Sequence, residues 1–149
     1  MSLTSRLVRV TAVSSREKKM IFWTLFWLSF FRVRNLILPY RFIKKWTSEE
    51  FVDEPPIGTV NELVIDEVSR TVQRCKRFVP GATCLTQALA TKAVLKRYGQ
   101  DSIIRIGVAK TKASIDAHAW VEVEGQIIFG RQPDNARYSL LRPPSVPSI

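Results

Sequence analysis

ATCLTQAL at residues 82–89 and DAHAWVEV at residues 116–123 contain the signals from which this fold is predicted. Thr83 is a favourable N-cap residue, so a helix is expected to begin at Cys84. The second stretch alternates in the manner of a strand and holds His118, the only histidine of the chain. A thiol in the first turn of a helix and an imidazole on a nearby strand are the two parts that a cysteine nucleophile needs. The N-terminal end of the helix dipole also stabilises a thiolate.

Helix and strand patterns surround these two segments. After a capping box that begins at Thr59, apolar side chains recur at helical spacing and predict one buried helix face. They are Val60, Val64, Val68, Val72, Cys75 and Val79. Three strands are predicted over residues 103–109, 117–123 and 126–129, with a two-residue hairpin turn at Glu124-Gly125. The patterns indicate an α+β fold, in which two or three helices pack on a small antiparallel sheet.

Length and charge set the broad class. With 149 residues, of which 46% are hydrophobic, the chain is long enough for one domain with an N-terminal appendage. We assign residues 1–52 to a basic, apolar helical region and residues 53–149 to the core, joined by a linker at 53–58. The formal net charge of +10 indicates an acidic partner, a membrane surface or simply solubility. Two cysteines and no cleavable signal peptide favour a reducing, cytoplasmic location, with membrane association left open.

The N-terminal region is expected to form an unusually apolar helix. Ser14-Ser15-Arg16-Glu17 reads as a capping box, and an aromatic-rich run follows from Met20 to Phe31. This run is shorter than the roughly 20 apolar residues of a bilayer crossing, and Arg32 interrupts it before Pro39 ends or kinks the helix. The helix therefore either lies on a membrane surface or packs on the domain or a partner protein. Protein contact is the favoured alternative.

The two cysteines, Cys75 and Cys84, are predicted to have different roles. Cys75 lies on the apolar helix stripe and is expected to be a buried, inert thiol. Cys84 and His118 are 34 residues apart, so they can pair only if the helix packs on the sheet. A proton acceptor beside the thiol would make it a nucleophile, and main-chain N–H groups at the helix start could stabilise an oxyanion. Without such packing, both are ordinary core residues.

Several fragments, taken in order from about Val60 to Gly130, resemble the transglutaminase-like leader peptidases of lasso-peptide biosynthesis (the microcin-processing protein family). They are residues 84–90, 95–99, 106–108 and 117–123, with Gly125. The resemblance implies a papain-like cysteine protease core that cuts the leader from a bacterial antibiotic precursor. It also implies that Cys84 is the nucleophile and His118 the general base. The implied partners are the precursor leader peptide, a small leader-recognition protein and an ATP-dependent lasso cyclase.

The third catalytic group departs from the family pattern, which usually supplies an aspartate on the next strand. The hairpin turn pairs Val123 with Gln126 and would place Gly130 opposite Ala119 and Arg131 opposite His118. Neither Gly130 nor Arg131 is an acid. We expect Asp134 to take the role. Asp116, a main-chain carbonyl or a water molecule are the alternatives.

Two neighbours of His118 have less specialised predicted roles. Trp120 is interpreted as a core aromatic whose N–H finds a partner, with a place at the rim beside the imidazole as the alternative. Glu122 is expected to be solvated or salt-bridged.

Other chemistries lack support in the sequence. No C-x-x-C, H-E-x-x-H, phosphate-loop or G-x-S-x-G motif is present. No cofactor, metal or nucleic acid is therefore expected. The alternatives to a protease are an acyltransferase on the same Cys–His core, or a non-enzymatic adaptor that binds a membrane or nucleic acid through the N-terminal helix.

Overall fold

The computed structural model describes residues 14–37, 59–110, 114–133 and 135–140. In this part of the chain, three α-helices precede a four-stranded antiparallel sheet. The helices are α1 (Ser15–Ile37), α2 (Glu62–Cys75) and α3 (Cys84–Arg97). The strands are β1 (Ile103–Lys110), β2 (Ile115–Val123), β3 (Gln126–Phe129) and β4 (Ser139–Leu140). Short 3₁₀ helices occupy Lys76–Phe78 and Asn135–Arg137. The predicted α+β class and the apolar N-terminal helix are confirmed.

Side-chain caps fix where the helices begin. Ser14 Oγ accepts from Glu17 N at 3.2 Å, and Thr83 Oγ1 accepts from Thr86 N at 3.3 Å, as predicted. The predicted cap at Thr59 is wrong, because Asn61 caps α2 by accepting from Val64 N at 3.2 Å. The cause is tertiary: the buried Gln100 accepts from Asn61 N at 2.8 Å and holds this approach in an extended conformation.

The sheet has the order β3-β2-β1-β4, so β2 is an inner strand. The predicted hairpin turn between β2 and β3 is confirmed. Glu124 and Gly125 have φ of 49° and 76°, as a two-residue turn with two left-handed positions requires. A β-bulge follows between Val121 and Glu122, and beyond it Val121 pairs with Phe129. The predicted register, which extended without a shift, is therefore wrong past Glu122.

The three helices cover one face of the sheet. Ala119, Val121 and Val123 of β2 point into the main core, together with buried side chains of all three helices. Helix α1 adds four side chains to this core: Met20, Thr24, Leu28 and Phe31. Their burial shows that α1 is packed against the domain, which is one of the two predicted alternatives for this helix.

The opposite face of the sheet carries a smaller cluster. Trp120 and Tyr138 pack there with Ala109. Gly107 makes this packing feasible, because a Cβ at this position would lie 2.5 Å from Tyr138 Cβ and 3.0 Å from the Trp120 ring. His118 alternates with Ala119 along β2 and shares this face with Trp120.

Several predictions concern residues outside the described ranges. They are the linker at 53–58, the boundary at 52/53, Pro39, most of the loop between β1 and β2, the tail at 142–149 and Asp134. These stay predictions.

Candidate active site

Cys84 is the first residue of α3, directly after its cap Thr83. Its side chain is half-buried, and Sγ lies 3.9 Å from the main-chain oxygen of Ala117 on β2. The packing of α3 on β2 thus brings the thiol to the residue immediately before His118. The first N–H groups of a helix have no partner within it, so the thiol sits at a locally positive end of the helix.

The turn that precedes Cys84 is held from two sides. Gln87 Nε2 donates to Ala82 O at 2.8 Å, within the same helix start. Arg32 Nε of α1 donates to Pro80 O at 3.2 Å, and Asn35 Nδ2 donates to Thr86 Oγ1 at 3.1 Å. The C-terminal half of α1 therefore supports both the approach to Cys84 and the first turn of α3.

His118 is 7% exposed, and its ring is held by neighbours on the sheet face that the helices leave uncovered. The Trp120 ring stacks on it at 6.0 Å between centroids, and the Tyr138 ring lies at 5.6 Å. His118 Nε2 lies 2.6 Å from Gly130 O. A carbonyl oxygen only accepts, so Nε2 carries a hydrogen and donates it. In the neutral ring, Nδ1 is then the basic nitrogen.

Cys84 reaches β2 from the face that the helices cover, whereas His118 lies on the opposite face with Trp120, so the β2 edge away from β1 separates the two side chains. Strand β3 ends at Phe129, opposite Val121, so it does not pair with β2 residues 115–120. Cys84 Sγ lies at Ala117 O, and the Gly130 main chain lies at Ala119 and Trp120, so each covers only part of this edge. The hydrogen bonds of the described residues direct Sγ to Ala117 O and His118 Nε2 to Gly130 O. Cys84 Sγ thus lies against the strand residue next to His118, and each of the two side chains is hydrogen-bonded to a different main-chain carbonyl.

The bulge changes which residues face His118. Gly130 has φ of +80°, and its backbone runs against Ala119 and Trp120, one position away from the predicted pairing with Ala119. Gln132, rather than the expected Arg131, reaches the ring, with Nε2 3.5 Å from Nδ1. Gly130 was a predicted position for the third group, and its main-chain carbonyl was among the alternatives considered. Asp134, the favoured residue, lies outside the described ranges.

A polar network lies behind the ring. Tyr138 Oη donates to Asp116 Oδ2 at 2.7 Å, and Arg137 Nη2 donates to the same carboxylate oxygen at 2.9 Å. Gln132 Oε1 lies 3.3 Å from Tyr138 Oη. Asp116 thus contacts Tyr138, which lies against the His118 ring, and the ring nitrogens contact Gly130 O and Gln132 Nε2 instead of Asp116.

Trp120 and Glu122 form a second support. Trp120 Nε1 donates to Glu122 Oε1 at 2.7 Å, and Arg105 Nε donates to Glu122 Oε2 at 3.2 Å. The predicted salt-bridged role of Glu122 is confirmed. Trp120 is a core aromatic with a paired N–H, as predicted, and it also stacks beside the imidazole.

Cys75 has the inert environment that its sequence position predicts. It is 3% exposed in the main core. Burial raises the pKa of the Cys75 thiol above its ordinary value, an effect that the nearby Arg74 partly offsets. Between the two cysteines, Cys84 is therefore the accessible one.

Comparison with protein families identifies the family of this chain. A family model described as the transglutaminase-like superfamily matches residues 45–142, about two thirds of the chain. The chain belongs to this superfamily. Comparisons with curated proteins and with solved structures found no match. The match spans Cys84, His118 and the hairpin that carries Gly130.

The residues that sequence reasoning missed in this transglutaminase-like core are Gln132 and Tyr138. Neither stands in a periodic pattern, and both reach His118 through the bulge and the short strand β4. Gly107 offered a signal for Tyr138, since a glycine within a strand marks close approach by another group. Within the described ranges, no group of three or more His, Cys, Asp or Glu side chains could hold a metal ion.

Proposed function

We propose that this protein is a cysteine peptidase that removes the leader from a ribosomally made lasso-peptide precursor. The observation that carries the proposal is the position of the Cys84 thiol, at a capped helix start and beside the strand residue that precedes His118. Membership of the transglutaminase-like superfamily supports a cysteine-based reaction. The sequence fragments that resemble lasso-peptide leader peptidases support the substrate class.

The hydrogen bond from His118 Nε2 to Gly130 O prepares the ring for a base role, since it leaves Nδ1 without a proton. For the reaction, Sγ must leave Ala117 O and approach Nδ1, while the Gln132 amide gives way. Such hydrogen bonds are commonly long before substrate binds and shorten in the complex. In the proposed mechanism, Nδ1 then takes the thiol proton.

The proposed cycle has two acyl-transfer steps. The Cys84 thiolate attacks the carbonyl carbon of the scissile bond and forms a tetrahedral intermediate, whose collapse breaks the C–N bond as His118 gives its proton to the leaving amine. A thioester remains on Cys84. A water molecule, deprotonated by His118, attacks that thioester, and the released thiolate regains its proton from the ring. The products are a carboxylate on one fragment and an amine on the other.

The oxyanion of each intermediate needs hydrogen-bond donors. Thr83 satisfies the N–H of Thr86 at the start of α3, and Thr83 O accepts from Gln87 N at 3.0 Å. The main-chain N–H of Cys84 precedes these two groups and belongs to the residue that bears the sulfur. We assign it to the oxyanion.

Leader recognition is assigned to a separate small protein, and ring closure of the freed core peptide to an ATP-dependent cyclase, as the family resemblance implies. The open β2 edge is the place on this chain where an extended precursor segment can reach Cys84. An extended peptide adds readily to an unpaired strand edge through main-chain hydrogen bonds.

The test is cleavage of a cognate precursor by the purified chain together with the leader-recognition protein, followed by mass spectrometry. Cys84→Ala is expected to abolish cleavage. Cys75→Ala is the matched control, since it removes the other thiol at a modest cost in stability, and it should cleave as the wild type does. Full cleavage by Cys84→Ala would overturn the proposal.

The same experiment distinguishes hydrolysis from acyl transfer, which uses the same Cys–His core. Hydrolysis adds one water across the cleaved bond. Transfer instead leaves the acyl fragment attached to an added amine, with a corresponding mass. A product of the second kind, at the expense of the first, would assign the chain to the acyltransferases.

A further inference from the structure

Helix α1 carries an apolar stripe on the side opposite to its buried face. The stripe consists of Phe22, Phe26, Phe30, Val33 and Ile37, whose side chains are between 45% and 72% exposed. Four of them follow a buried residue by two positions, and two residues correspond to about 200° of rotation around a helix. We call this set the outer stripe. Its members lie on the far side of α1 from the core.

The side chains of the outer stripe are already organised in the free protein. The Phe26 and Phe30 rings stack at 6.2 Å with an interplanar angle of 13°. Trp23 makes edge contacts with Phe22 at 5.5 Å and with Phe26 at 5.6 Å. The stripe runs over about 22 Å at the rise of an α-helix. It is therefore a continuous apolar surface, aromatic from Phe22 to Phe30 and aliphatic at Val33 and Ile37, and not a set of separate exposed residues.

Positive charge borders this surface. Lys18 and Lys19 are exposed at the N-terminal end of the stripe, and the Arg97 guanidinium lies 3.6 Å from the Trp23 ring centroid. Glu17 is the one acidic residue of α1, and it is half-buried. An apolar stripe bordered by bases fits the boundary between headgroups and acyl chains of an anionic bilayer.

Helix α1 has the length and composition to cross a membrane: among the described helices it is the one that meets that test, with 23 residues. Core helices of soluble proteins and signal sequences share those properties. Packing decides the orientation, because Met20, Thr24 and Leu28 are fully buried against the domain. If α1 crossed a bilayer, these side chains would have to leave the core. If α1 lies parallel to the bilayer surface, the outer stripe can contact lipid with no change in the fold.

We propose that the outer stripe of α1 docks the folded domain flat on an anionic lipid surface. Pairing of the stripe with a second copy is disfavoured, because each chain carries a formal net charge of +10. The proposal does not depend on peptidase activity. Helix α1 does connect the outer stripe with the candidate active site. Its Arg32 contacts Pro80 and its Asn35 contacts Thr86, on either side of Cys84. Docking would hold the site at a fixed height above the bilayer.

The experiment is vesicle flotation of the full chain, in its Cys84→Ala form so that catalysis plays no part. The vesicles contain equal parts of phosphatidylglycerol and phosphatidylcholine, with pure phosphatidylcholine for comparison. Binding is expected to the anionic vesicles and to weaken as salt rises from about 0.1 M to about 1 M. The double variant Phe26→Ser/Phe30→Ser should bind about tenfold less or weaker still.

The matched control is Leu63→Ser/Ile115→Ser, which removes two exposed apolar side chains away from the outer stripe. It should bind vesicles as the parent does, and circular dichroism should show both variants folded. Equal binding by the stripe variant and the control would overturn the proposal. A failure of the parent to bind anionic vesicles would also overturn it. Stripe-dependent binding to a second copy on gel filtration, or to the leader-recognition protein, would then assign the stripe to a protein partner.

Discussion

Gly130 contributes to the site through its main chain alone. Its φ of +80° lies in the left-handed region, and its carbonyl oxygen accepts from His118 Nε2. In the proposed mechanism this carbonyl takes the part that a carboxylate takes in many cysteine and serine enzymes: it fixes the tautomer and the direction of the imidazole. A carbonyl lacks the full negative charge that would stabilise an imidazolium. Its contribution to catalysis would therefore come mainly from fixing the position of the ring.

Gly130→Ala is expected to lower kcat/KM for precursor cleavage by about 10- to 100-fold, because a small displacement of a catalytic group is costly. A Cβ at this position would lie 3.0 Å from Ala119 O and 3.1 Å from Trp120 Cα, which forces the carbonyl away from the ring. Cleavage kinetics measure the effect.

Gly99→Ala is the control for Gly130→Ala. Gly99 has a similar φ of +73°, but a Cβ there meets nothing within 4 Å. The Gly99→Ala substitution therefore places an alanine in the same left-handed backbone conformation, but away from His118. If the two variants showed equal kcat/KM, the orienting role of the Gly130 carbonyl would be rejected.

At the scale of single elements, the first turn of α3 both begins the helix and positions Cys84. Thr83 caps α3 much as Asn61 caps α2, with bonds of 3.3 Å and 3.2 Å. The two caps have similar geometry, but only Thr83 directly precedes Cys84, the proposed nucleophile. Removing each cap in turn therefore separates the loss of helix stability from the loss of a fixed position for Cys84.

Thr83→Ala and Asn61→Ala should each lower the free energy of unfolding by about 1 kcal/mol, because each leaves an N–H group without its side-chain acceptor. Thr83→Ala should in addition reduce the cleavage rate, since Cys84 then loses its fixed place in the first turn. Denaturant unfolding and cleavage assays on both variants test this. A loss of activity that merely tracks stability in both would refute the positioning role.

The elements also show what could be predicted from sequence. The helix start at Cys84 and the hairpin at Glu124-Gly125 follow from local preferences of one or two residues, and both are confirmed. The bulge beyond Glu122 is not encoded in the alternation of β2, so the predicted register, which places Arg131 opposite His118, is wrong there. Helix α2 is capped by Asn61 and not by the predicted Thr59, because the side chain of Gln100, 39 residues away from Asn61, accepts a hydrogen bond from Asn61 N. Such distant contacts leave no local pattern.

At the scale of the whole molecule, α1 is part of the domain that it covers. Arg16 of α1 pairs with Glu67 of α2 at 3.3 Å, and the buried residues of α1 extend the main core. An appendage that unfolds by itself would not contribute side chains to that core. The helix should therefore melt together with the sheet.

Leu28→Ala is expected to destabilise the protein by about 2–5 kcal/mol, because it leaves a cavity in the core. Leu36→Ala, on the same helix but 71% exposed, should change stability by no more than about 0.5 kcal/mol. Thermal unfolding followed by circular dichroism should show one transition, shifted only in Leu28→Ala. A separate, earlier transition for the helix would contradict a single cooperative unit.

The proposed peptidase activity requires Cys84 and His118 to act as one nucleophile–base pair. The most direct measurement is the rate of Cys84 alkylation by iodoacetamide at mildly acidic to neutral pH, in a Cys75→Ala background with and without His118→Gln. A paired thiol should react rapidly, and His118→Gln should slow the reaction by about tenfold or more. Equal rates with and without the imidazole, at every pH tested, would contradict the pairing.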